Sequence, residues 1–115
     1  MESILTSIKK MLGIAEEYTH FDADLIIHIN SVFAILTQIG VGPSEGFSIE
    51  DDTDVWTDFI QDNKRLESVK SYTYMKVKLL FDPPLSSSVI ESMNRIISEL
   101  EWRILISGEE GENIE

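Results

Sequence analysis

The chain has 115 residues, 43% of them apolar, no cysteine, and a formal net charge of −12. That length suits one domain with a small core, and the composition excludes disulfides, cysteine-based zinc sites and thiol catalysis. So acidic a chain is also a poor binder of phosphate backbones, whose affinity comes from Lys and Arg.

The first segment, residues 3–12, reads as a short helix. Ile4 or Leu5, Ile8 and Leu12 share one face, and Gly13 is placed to end it. The start MESILTSIKKMLGIAEE lacks the layout of a signal peptide, because its lysines follow the apolar residues. No apolar run approaches the roughly 20 residues that span a bilayer, so a soluble protein made inside a cell is expected. Ile14 to His20 reads as a polar link.

Asp22 to Gly40 is the strongest element. Leu25, Ile29, Val32, Leu36 and Ile39 recur at helical spacing, and Ile26, Phe33 and Ile35 widen the stripe. Asp22 is expected to cap the first turn, with Phe21 and Ile26 as a hydrophobic staple. Gly40 is expected to end the helix, and Gly42-Pro43 to prevent its resumption. The other helices are expected to pack around this one.

Residues 41–50 form the main loop, broken by two glycines and a proline and anchored by Phe47 and Ile49. Asp51 to Asp62 opens with acids that suit a helix N-terminus and continues with Val55, Trp56, Phe59 and Ile60 on one face. Trp56 is expected to cover one end of the core. Lys64 to Phe81 is a second long helix, with Leu66, Val69, Tyr72 or Thr73, Lys76 or Val77, and Leu80 on its inner stripe. Lys70, Lys76 and Lys78 give it a basic exposed side, and Asp82-Pro83-Pro84 stops it. Ser86 to Ile106 is the third long helix, with Ser88 and Glu91 as a capping box and Val89, Met93, Ile96, Ile97, Leu100 and Ile104 as its core stripe. Gly108 is expected to end it. The predicted fold class is all-α: a small bundle of three long amphipathic helices plus two short ones. Residues 1–108 form a single domain, and 109–115 a flexible acidic tail.

No catalytic, cofactor-binding or metal-ligating set emerges. His28 lies one turn after Asp24, but two ligands do not close a zinc site. Asp51, Asp52, Asp54 and Asp58 lack the register, the central glycine and the closing glutamate of a calcium loop. Ser86-Ser87-Ser88 has no glycine elbow and no placed histidine, and there is no glycine-rich phosphate loop. Charge is uneven instead. Residues 1–63 carry two basic and twelve acidic side chains, and residues 64–108 carry seven basic and five acidic. An acidic half and a mildly basic half can meet head to tail in copies of one chain.

Three stretches together resemble the small head–tail connector (adaptor, or head-completion) proteins of long-tailed bacteriophages. They are Ile8-Lys9-Lys10-Met11-Leu12-Gly13-Ile14 followed by Phe21-Asp22-Ala23-Asp24-Leu25-Ile26; Gln38-Ile39-Gly40-Val41-Gly42-Pro43; and Tyr72 through Pro84. The resemblance covers most of residues 5–105. It implies a small helical protein without catalytic residues or cofactors, forming a homo-oligomeric ring beneath the portal protein in the virion neck, after assembly in the host cytoplasm. The ring would extend the DNA channel, pass genomic DNA without sequence-specific binding, and dock the next neck or tail component. Val32 and Phe33 are bulkier than is common at these positions of the family. Lys70, Lys76, Lys78, Phe47, Ile49, Asp51, Asp52 and Asp54 are the candidate subunit or partner interface. The rival from another class is an acidic inhibitor or DNA mimic occupying a nucleic-acid enzyme, which net charge favours and the basic 64–78 segment opposes.

Overall fold

A computed structural model describes the backbone of residues 2–113 and the side chains of residues 2–106. Five helices follow in order: α1 (Ile4–Leu12), α2 (Asp22–Gln38), α3 (Trp56–Phe59), α4 (Asn63–Phe81) and α5 (Ser87–Asn113). Among the described residues there is no sheet, only an isolated antiparallel bridge between Ser3 and Val55. The all-α class holds. The hub, however, is α4 rather than α2, because α4 packs against α1, α2 and α5.

Local chemistry explains most of the boundaries. Ser3 caps α1 by accepting the Thr6 N–H. Gly13 closes the same helix, its N–H donating to the Lys10 carbonyl while the Ile14 N–H donates to Lys9. Helix α2 ends in the same paired pattern: Gly40 N–H to Thr37 O and Val41 N–H to Leu36 O. Gly40 takes φ +90°, a conformation that side chains with a Cβ rarely adopt. Asp62 caps α4 by accepting the Lys64 N–H.

The core gathers Ile4 and Ile8 from α1, Leu25, Ile29, Val32, Phe33 and Leu36 from α2, Val69, Tyr72 and Val77 from α4, and Ile97 and Ile104 from α5. Phe33 stacks on Phe59 with ring centroids 4.3 Å apart and meets the edge of Trp56 at 6.1 Å. Phe47 joins the same group, 5.3 Å from Phe59. These four aromatic rings fasten residues 41–60 to α2. At the opposite end Phe21 and Phe81 meet edge to face at 5.2 Å.

Several expectations are corrected. Asp22 does not cap α2: the N-cap is Phe21, which makes no side-chain bond. The Asp22 carboxylate instead lies 2.9 Å from the Lys9 ammonium, which also donates to the Glu16 carbonyl at 2.8 Å. The contact with Asp22 is ionic without hydrogen-bond geometry. Lys9 is thus a buried cation tying α1, the polar link and α2 together. The acids before α3 do not cap it either. Asp51 accepts from Thr53, and Asp54 Oδ2 accepts from the Glu50 N–H at 2.7 Å, so they shape a turn. The serine that accepts in the first turn of α5 is Ser86, bonded to the Val89 N–H, because the helix starts before Ser88 can act as a cap. Val89, Ile96 and Leu80 are exposed rather than buried, since no element among the described residues covers those flanks. Gly108 does not end α5, which continues to Asn113. A glycine inside a helix costs only about 1 kcal/mol, too little to force a stop. The expected acidic tail, 109–115, is therefore helical in backbone up to residue 113, and its last two residues lie outside the described residues.

Candidate interaction surfaces

The basic side expected on α4 is largely committed within the chain. Lys70 pairs with Glu2 and with Glu67, and its ammonium lies 5.9 Å from the Trp56 ring centroid. Lys78 meets Asp82 at 2.9 Å, and Arg65 meets Asp62 at 3.4 Å. Lys76 has no carboxylate partner among the described residues and sits 5.8 Å from the Tyr72 ring centroid. All three candidate lysines are half-buried rather than fully exposed. The Glu2 carboxylate holds the Lys70 ammonium above the usual lysine range.

The acidic side is not neutralised. Residues 39–61 contain six acids and no Lys or Arg. No cation pairs with any of them among the described residues. Asp51 and Asp52 are exposed, and Asp54 is half-buried. Phe47 is half-buried, while Ile49 is 2% exposed and belongs to the core. Asn30 holds that loop from α2: its Oδ1 accepts the Ile49 N–H at 2.7 Å and its Nδ2 donates to the Ile49 carbonyl at 3.0 Å. Between α2 and the loop lies a groove of about 460 Å³, lined by Asn30, Ala34, Thr37, Glu45 and Phe47 among others.

Helix α5 carries the unmet apolar surface. Its 27 residues extend about 40 Å, and α4 is its main support. Of nine large apolar side chains exposed among the described residues, six fall between Leu80 and Leu105. Trp102 stands out: it is 62% exposed, whereas Trp56 is 2% exposed. A shallow hollow beside Trp102 is formed by Ile39, Glu101 and Leu105 with it. On the inner side the Tyr72 phenol donates to Glu101 at 2.7 Å, fixing α5 to α4. Burial and the adjoining carboxylate push the Tyr72 phenol well above its ordinary range. Sequence periodicity marks α5 as apolar but does not say which flank is covered within the chain.

Candidate chemistry is sparse. The His28 ring lies 6.4 Å from Phe81, and no hydrogen bond joins it to Asp24. Among the described residues no group of three or more His, Asp or Glu side chains could hold a metal ion. No helix of the described residues is long and apolar enough to cross a membrane. What the surface offers is an open acidic loop, an exposed tryptophan and an uncovered helical hairpin, the vocabulary of protein–protein contact.

A family model described as phage connector protein matches residues 4–111, nearly the whole folded chain. The chain belongs to the phage connector protein family. No curated protein and no solved structure matches it. The connector is thus a structural component of a bacteriophage, acting between head and tail, as the resemblance in its helix boundaries implied.

Proposed function

We propose that this connector forms a ring beneath the portal at the capsid vertex, in the virion neck, where it extends the DNA channel and presents a docking surface to the next neck or tail component. The observation that supports this most directly is the division of its surface. Among the described residues, apolar side chains on the α4–α5 hairpin stay exposed, and the six acids of residues 39–61 have no cation. A small domain with two unlike, unsatisfied faces suits a contact in which one face meets a different face of the next copy. Acids left toward a channel repel the phosphate backbone, so DNA passes without adhering. The protein works by position rather than by catalysis, and its partners are copies of itself, the portal and the adjoining neck protein.

The test is capture. Purified portal rings mixed with the connector and separated by size should retain it in a fixed ratio, as a closed ring with a central hole. A connector that stays free while portal is in excess would overturn the reading.

A further inference from the structure

The exposed indole and the loop groove lie on opposite sides of α2. Thr37 and Ala34 line the groove, while Ile39 borders the hollow beside Trp102. Thr37 and Ile39 are two residues apart, which is about 200° around a helix axis. One copy therefore cannot seat its own Trp102 in its own groove, but a neighbour can. From this we infer that Trp102 of one connector inserts into the α2–loop groove of the next copy. The inference rests on the ring reading above and names the contact that would close the ring.

The chemistry of the two sides matches. Phe47 and Ala34 offer apolar surface to an indole. The groove is pre-formed, because Asn30 bonds Ile49 at both backbone atoms and Phe47 packs on Phe33 and Phe59. Thr37 Oγ1 donates its proton to the Phe33 carbonyl at 2.9 Å, which leaves its lone pairs free to accept the indole N–H. Charge agrees as well. Glu45 on the groove has no cation among the described residues. Arg95, two turns from Trp102 on the same side of α5, has no carboxylate partner among the described residues; its guanidinium donates to Ser92 Oγ at 3.2 Å. A single indole buries on the order of 200 Å², well below the roughly 1,200 Å² of a free-standing interface. The contact is accordingly weak between free chains and closes when copies stand side by side, where each is held at high effective concentration.

The chain contains no cysteine, so single thiols report the contact. Ser98→Cys, beside Trp102, and Ser48→Cys, at the groove, are both exposed positions. The two variants are mixed and treated with a short thiol–thiol cross-linker, both in concentrated solution and on portal-bearing heads. We expect a cross-linked heterodimer in either setting, reduced at least about tenfold when Trp102→Ala accompanies Ser98→Cys or when Ala34→Trp plugs the groove. Circular dichroism checks that the variants stay folded, as exposed substitutions should. No heterodimer, or cross-linking indifferent to both Trp102→Ala and Ala34→Trp, overturns the inference. Heads that capture normal rings of Trp102→Ala connector would do so as well while leaving the ring reading intact. Heads that capture no unmodified connector would instead count against the ring reading, and cross-linking in solution would still decide the contact.

Discussion

The Trp56 indole donates to Ser7 Oγ at 2.7 Å, joining two residues 49 positions apart. Ser7 in turn donates to carbonyls of its own helix, at 2.8 Å to Ser3 and 3.1 Å to Ile4. One hydroxyl thus satisfies the polar atom of the largest buried side chain and fastens α3 to α1. Ser7→Ala should leave the indole N–H buried without a partner, at a cost of about 1–3 kcal/mol. Urea unfolding followed by tryptophan fluorescence measures it. A smaller loss than that of an exposed control such as Ser98→Ala would show that the bond does not hold the indole.

Asn30 clamps the loop between α2 and α3. Asn30→Ala removes both bonds to Ile49, including the acceptor for a buried backbone N–H, and should cost about 1–3 kcal/mol. The effect should be local before it is global. Hydrogen exchange at Ile49 should accelerate while amides in α4 stay protected; uniform acceleration along the chain would contradict a local clamp.

Lys9 and Asp22 make an asymmetric pair. The Lys9 side chain is 3% exposed and that of Asp22 27% exposed. Removing the carboxylate strands a buried ammonium on one carbonyl, whereas replacing the lysine leaves an acid that reaches water. Asp22→Ala should therefore destabilise by about 3 kcal/mol, and Lys9→Met by clearly less. Thermal unfolding of the two variants side by side gives the order, and the reverse order would show that the cation is not the costly partner.

Alkaline pH should loosen the α4–α5 hairpin. The folded Tyr72 phenol holds its proton above the ordinary tyrosine range, so its contribution is complete below about pH 10 and is lost as pH rises beyond it. The raised Lys70 ammonium acts in the same direction and the same window. Stability should fall as pH rises above about 10. Tyr72→Phe should flatten part of that fall, while costing on the order of 1 kcal/mol at neutral pH through the lost bond to Glu101. Denaturant titrations across this window check the sign; stability that rises with pH there would refute it.

Gly42 is a steric prediction. It adopts φ +80°, and a Cβ there would fall 2.5 Å from the Phe59 ring. Gly42→Ala should cost about 1–3 kcal/mol through combined backbone strain and ring displacement. Gly46→Ala, which meets nothing within 4 Å at φ +96°, separates the two. Equal losses at both glycines would assign the whole effect to backbone strain.

Much of the fold was legible because strong periodicity coincides with punctuation. Gly13, Gly40 and the Asp82-Pro83-Pro84 run end their helices close to where turn chemistry predicts. The misses have physical causes. Acids before Trp56 look alike whether they cap a helix or bond a turn, since both use a carboxylate on nearby N–H groups. Three consecutive serines leave the start of α5 ambiguous by a residue or two. Nothing local distinguishes Lys9, which is buried with Asp22, from Lys10, which is exposed. The stripe on α5 is wider than one partner helix covers, so Val89 and Ile96 read as core although they face outward. The groove on α2 depends on Asn30 reaching Ile49, 19 residues away, and no periodicity encodes such a contact.

Electron cryo-microscopy of portal-bearing, DNA-filled heads incubated with the purified connector is the decisive measurement of ring formation at the portal. A closed ring of this small helical domain should stack under the portal, with its opening continuous with the DNA channel. Heads whose portal vertex carries no added density at saturating connector, or density from single copies placed elsewhere on the capsid, would contradict it.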